Sequence, residues 1–244
     1  MEKLLPISAF MTLAFIAMVS LSSCDKDIIN GDGPIVTETR SINGFTGVST
    51  SIPGKINYTI DPVYKVEILA QQNILNVIKT EVTAGILQIK FPNYVNVRSH
   101  DEIIVNIHAP SASYVSISGV GNVFVVGSTI SNDLTLSMSG SGNINMQSAL
   151  IANKIDARIS GSGNIKVTGG SAINEELHIS GSGSIDMGSV FASNGDIHIS
   201  GSGDTWVRLS QTLDASISGS GSVYYKGTPT ITSHVSGSGS VIPF

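Results

Sequence analysis

Two residues ahead of each copy of a Ser-Gly-Ser-Gly motif, the chain places Ser116, Ser137, Arg158, His178, His198, Ser216 and His234. Two positions further back it places Thr135, Asp156, Glu176, Asp196, Asp214 and Thr232. If the copies stack in parallel, His178 and His198 become neighbours, with Glu176 and Asp196 beside them on the same face. Imidazole and carboxylate groups so arranged could ligate a divalent cation or hydrogen-bond a sugar. The plainer reading is a solvated strand face on which acids and bases pair across and along strands. That reading is preferred, with glycan contact ahead of metal.

A second outward file follows the motifs: Phe124, Asn145, Lys166, Asp186, Trp206, Tyr224 and Ile242. Trp206 is the single Trp of the chain, and the period places it outside, next to Tyr224. Exposed aromatics suit a subunit interface or sugar stacking. The alternative is burial beneath a neighbouring loop. Other chemistries find little support. A phosphate loop needs a helix after its glycines and usually a Lys, whereas a strand pattern follows each motif. Calcium-binding β-rolls need an Asp in every short repeat, and only Asp204 adjoins a motif. The Asp156 to Asp214 file sets carboxylates in a row, which is not the flanking pair that glycoside hydrolysis uses. Serines are too abundant for a Ser/His/Asp combination to mean anything. We expect no catalytic residues, no cofactor and no metal site.

These files exist only because of a repeat. The motif begins at Ser118 in a degenerate copy, then at Ser139, Ser160, Ser180, Ser200, Ser218 and Ser236, at intervals of 21, 21, 20, 20, 18 and 18 residues. The flanks alternate with period 2: Leu134, Leu136 and Met138 before one motif, Ile144 and Met146 after it, and equivalents in later copies. Each copy therefore reads as a strand, a tight glycine corner and a second strand, with one face apolar. A meander of hairpins and a parallel solenoid both fit this pattern. The solenoid better explains the recurrence of like residues at like places, and its rungs need neighbours and caps. The fold expected is all-β, a parallel β-helix with Ser-Gly-Ser-Gly corners.

Four segments follow. Residues 1–23 read as a signal peptide: an apolar run from Leu4 to Ser20, too short and poorly flanked for a stop-transfer helix. It ends in Leu21-Ser22-Ser23-Cys24, which resembles the lipobox of bacterial lipoproteins, so Cys24 is the expected lipidation site. Acyl chains there would anchor the protein in a membrane and leave the mature chain without a thiol. Residues 24–38 are acidic and aperiodic and read as a tether. Residues 39–112 hold β-rich pieces punctuated by Pro53, Pro62, Pro92 and Pro110, with one helical turn within Gln72 to Lys79. They read as irregular rungs that begin or cap the solenoid. Residues 113–244 are the regular repeats. A net charge of −5 argues against nucleic acid as a partner.

Ile42-Asn43-Gly44-Phe45-Thr46-Gly47-Val48, the strand Gly85-Ile86-Leu87-Gln88-Ile89 and the Ser-Gly-Ser-Gly series resemble the head GIN domain of autotransporter adhesins, common among Bacteroidetes lipoproteins. The resemblance runs from about Thr39 to Phe244. It implies a right-handed β-helix, homo-oligomers with a trimer favoured, and a role in adhesion, and it supplies no catalytic residues. The expected function is a non-enzymatic, lipid-anchored binding module, exported to the outer membrane or cell surface. Its partner would be a glycan or a host or cell-surface protein. The rivals are a polysaccharide lyase-like β-helix enzyme and a purely structural envelope protein. Short connections between rungs leave little material for the groove walls a lyase needs. Cys24→Ala should abolish fatty-acid incorporation; labelling that persists in the variant would refute the anchor.

Overall fold

Alternating β-branched and small polar residues favour strands, and the computed structural model, which describes residues 27–244, is built almost wholly from them. The expected signal peptide and Cys24 lie outside the described residues. The irregular part comprises β1 (Asp27–Asn30), β2 (Ile35–Arg40), β3 (Gly47–Thr50), β4 (Gly54–Ile60), β5 (Lys65–Gln71), the single-turn helix α1 (Gln72–Leu75), β6 (Lys79–Thr83), β7 (Ile86–Lys90), β8 (Val95–Ser99) and β9 (Ile104–Ala109). The repeat region comprises β10 (Tyr114–Gly119), β11 (Gly121–Gly140), β12 (Asn143–Gly161), β13 (Asn164–Val167), β14 (Gly170–Gly181), β15 (Ser184–Asp186), β16 (Phe191–Gly201), β17 (Asp204–Gly219), β18 (Ser222–Gly227), β19 (Thr230–Gly237) and β20 (Ser240–Pro243).

The repeat is a parallel solenoid, not a meander. The strands ahead of the motifs form one ladder in which Ser118, Ser139, Ser160, Ser180, Ser200, Ser218 and Ser236 are successive partners. The strands after the motifs form another, through Ile144, Ile165, Ile185, Thr205, Val223 and Val241. Longer rungs add a third stretch, where Ser128 to Ser131 pair with Ser148 to Ile151. Side chains alternate as expected. Leu134, Leu136, Met138, Ile155, Ala157, Ile159, Leu177, Ile179, Ile197 and Ile199 are buried in one continuous core, as are Ile144, Met146, Ile165, Val167, Ile185 and Val207.

The N-terminal part departs from a simple succession of rungs. β3 and β4 pair in parallel with β10 and β11. On their other side lie β7 and β9, also parallel. The rung that is later in sequence is therefore the outer one in space. Antiparallel strands then seal this end: β5 on β9, β2 on β5 and β6 on β7. Helix α1 inserts Ile74 and Leu75 into the core, and Arg40 donates to the carbonyls of Leu75 and Ile78 beside it. The expected helical turn is present.

The tether expected over residues 24–38 is corrected where the structure describes it. Residues 27–30 form β1, which pairs in parallel with β8, and residues 35–38 belong to β2. Ile29 and Val36 pack on the core. Two apolar contacts and an available strand edge outweigh the acidic, glycine-containing composition.

At the junctions, strands end on the first glycine of each motif and resume after the second. Gly140, Gly161, Gly181 and Gly201 have φ of +133°, +132°, +129° and +131°, a region that favours glycine. Space forbids a side chain as well. A Cβ on Gly161 would lie 2.3 Å from the carbonyl oxygen of Gly140, the same oxygen that accepts from the Ser162 amide at 2.9 Å. Gly161→Val should thus lower stability by about 2 kcal/mol or more, whereas a change at exposed Ser162 should be nearly silent. Equal unfolding midpoints for Gly161→Val and wild type in denaturant would overturn this account.

Candidate functional site

The parallel register brings the first file together. His178 pairs with His198 and Glu176 with Asp196, the imidazoles stacked at 5.0 Å between centroids and 18° between planes. Glu176 is the hub of an ion cluster. It accepts from Lys154 at 2.6 Å, from Arg158 at 2.7 Å and from His178 Nε2 at 3.1 Å. Arg158 also grips Asp156 through two bonds of 2.7 and 3.0 Å, and His198 faces Asp196 at 3.2 Å. The Lys154 hydrogen bond, then that of His178, pull the Glu176 carboxyl down from 4.5 to about 2. The Glu176 hydrogen bond raises Lys154, and the Asp156 hydrogen bond raises Arg158. On the motif side of the histidines, a trough of about 380 Å³ runs between His178, His198 and His234 on one wall and Ser180, Ser200 and Ser218 on the other. The isoleucines between them turn inward and present main chain as its floor. Among the described residues, no group of three or more His, Cys, Asp or Glu side chains could hold a metal ion.

The second file also falls into register, from Phe124 through Asn145, Lys166, Asp186, Trp206 and Tyr224 to Ile242. Trp206 and Tyr224 are partly exposed and stack at 5.1 Å and 9°. Lys166 and Asp186 pair at 2.7 Å. The neighbouring file is a ladder of short polar groups: Asn143 donates to Asn122, Asn164 to Asn143 and Ser184 to Asn164, at 2.7, 3.0 and 2.6 Å. Between these features and Phe244 lies a cleft of about 600 Å³.

Three features escaped the sequence reading. Glu175 is fully buried in register with Ile155 and Gly195, and neither of its oxygens has a partner among the described residues. Burial pushes its carboxyl well above the usual carboxylate range. Counting back two from Leu177 would have exposed it as an inward acid. The exposed ring of Phe191 carries Arg208 at 3.7 Å beside a second pocket of about 390 Å³. Phe244, which follows β20 and hydrogen-bonds the Tyr225 carbonyl at 3.0 Å, also reaches the Trp206 cleft.

Glu176 supplies a pH test. Its carboxyl titrates lower in the folded state, so its stabilisation is full above about pH 4.5 and fades as pH falls towards 2. Glu176→Gln should cost about 1–2 kcal/mol at pH 7, allowing for solvent screening of the cluster. It should also flatten the loss of stability between those pH values. Parallel acid-unfolding curves for variant and wild type would contradict the hub assignment.

Residues 44–229 match the family model described as "Putative auto-transporter adhesin, head GIN domain". A crystal structure of a "putative adhesin" from Bacteroides fragilis superposes with a TM-score of 0.81 at 26% identity, covering 88% of this chain and all of that one. A "putative lipid binding protein" from Parabacteroides distasonis gives 0.74 at 22% identity, over 89% of this chain and 100% of its own. A "putative adhesin" from Parabacteroides merdae gives 0.68 at 21%, over 89% and 99%. These last two share the fold. Among curated proteins none matches the sequence. The family description implies a cell-surface or exported protein. Matched over most of its length, the chain belongs to the auto-transporter adhesin head GIN domain family.

Proposed function

We propose that the protein is a lipid-anchored adhesive module of the cell envelope, without catalytic activity, that presents its outward files to a glycan or a cell-surface protein. The observation that carries this reading is the family match over residues 44–229, which takes in most of the repeat region. The site chemistry agrees with it. A carboxyl held at about 2 by Lys154 and His178 stays ionised and is a poor general acid near neutrality, and Asp186 is tied to Lys166. Cys24 follows the apolar leader in the position where a lipoprotein carries its lipid, and a stable anchor is what an adhesive domain requires to transmit load. A homo-oligomer, trimeric by resemblance, is the assembly we favour. Exposed apolar side chains on β19 and β20, Ile231, Val235 and Ile242, give such an assembly surface to bury.

Adherence of whole cells to mucin-coated and epithelial surfaces tests the reading. Deletion of the gene should reduce adherence, and Cys24→Ala should reduce it equally while releasing folded protein. Unchanged adherence of the deletion strain on every surface would overturn it.

A further inference from the structure

The Trp206 cleft contains the parts of a carbohydrate site, and they arise from four independent features. First, Trp206 is outward in a fold that puts apolar residues in. The same position in earlier rungs holds Phe124, Asn145, Lys166 and Asp186, and the three polar residues there show that core packing does not demand an aromatic. Second, Tyr224 stacks on one indole face from the next rung, while on the previous rung the register neighbour is the much shorter Asp186. Third, Asp186 is held in place, accepting from the Gly188 amide at 3.1 Å and from Lys166 at 2.7 Å. Asn164 and Ser184 are likewise fixed by the polar ladder. These are fixed donors and acceptors of the size that meets sugar hydroxyls. Fourth, Gly188 keeps the wall thin. A Cβ there would sit 3.1 Å from the Phe244 ring and 3.5 Å from Trp206 Cβ. The resulting volume, about 600 Å³, lies within the range of small-ligand sites.

We propose that this cleft binds a saccharide unit: the indole face of Trp206 away from Tyr224 stacks on the sugar ring, while Asn164, Ser184 and the Lys166–Asp186 pair bond its hydroxyls. The amphipathic sugar ring matches this surface, with its C–H face on the π-system and its hydroxyl edge on the polar ladder. The assignment deepens the adhesive reading by naming a ligand class, and it rests on that reading for its biological use.

Trp206 is the only Trp, so tryptophan emission, excited selectively beyond the tyrosine absorption band, reports on this cleft alone. The full chain, extracted in detergent, would be titrated with neutral oligosaccharides of glucose, mannose and xylose and with oligogalacturonates. A saturable change in emission with at least one of them is the expected result. Asn164→Ala, which keeps the reporter, and Trp206→Ala, followed by calorimetry, should each weaken binding about tenfold or more with unchanged far-ultraviolet circular dichroism. No saturable response to any sugar up to millimolar concentration overturns the proposal. So does emission that shifts with protein concentration instead, which would mark the cleft as a subunit contact. Cells that adhere while the protein binds no sugar would sink the cleft and leave the adhesive reading standing. Sugar binding by a protein whose deletion leaves adherence unchanged would do the reverse.

Discussion

Register in this molecule is set where glycine backbones touch. The Gly140 carbonyl accepts from the Ser162 amide in the rung above and leaves no room for a Cβ on Gly161. Gly181, Gly201, Gly219 and Gly237 repeat the contact, each with an added Cβ falling 2.1–2.3 Å from the oxygen below. A one-residue slip of any rung would place a serine side chain in that gap and turn its apolar residues outward. The junction thus fixes both the spacing of the rungs and which face of each strand is buried. Everything on the surface inherits its position from this: the stacked histidines, the asparagine ladder and the Trp206–Tyr224 pair are side chains that the backbone contact has brought into line.

Stacking like upon like works well for apolar, amide and aromatic groups and poorly for charge. Asn143 and Asn164 satisfy each other as donor and acceptor along the file. Carboxylates cannot, and Asp156, Glu176, Asp196 and Asp214 occupy successive rungs. The structure offsets part of this repulsion with cations set in the same face, Lys154 and Arg158 around Glu176. The file loses this compensation towards Asp214, where Ser216 and His234 replace the arginine. One acid, Glu175, is placed inside, over a rung that offers only Gly195 at the matching position. Burial raises its carboxyl above the usual carboxylate range and neither oxygen has a partner among the described residues, a local cost that the surrounding core sustains.

The legible part of the fold was the part governed by period. Seven motifs at near-constant spacing gave the parallel register, and with it both surface files, residue by residue. Position along a rung is enough to say that His178 lies over His198, because equivalent residues pair. The N-terminal clamp was not legible, since its strands are antiparallel and its rungs are out of sequence order, and neither leaves a repeating signature. β1, β6 and β8 are short, and Ile29 and Val36 stand among glycines and acids that suggest a flexible segment. The Trp206 cleft was half visible: the file named Trp206, Asp186 and Lys166, while Gly188 and Phe244 enter through a turn and an end strand whose course only coordinates reveal.

Because β3 and β4 precede β7 and β9 in the chain yet lie inside them in the stack, the first rung waits for later residues before it has a neighbour on its outer side. A chain emerging residue by residue must close this clamp before it owns a template. Once β10 and β11 have docked back on β3 and β4, each later rung pairs with the segment made just before it, and growth runs one way, by addition at a single free edge. Assembly becomes a polymerisation in miniature, with slow nucleation over long loops and then elongation that closes only short ones. Damage to the clamp would forfeit the whole array, whereas damage to the last rung would forfeit a single turn.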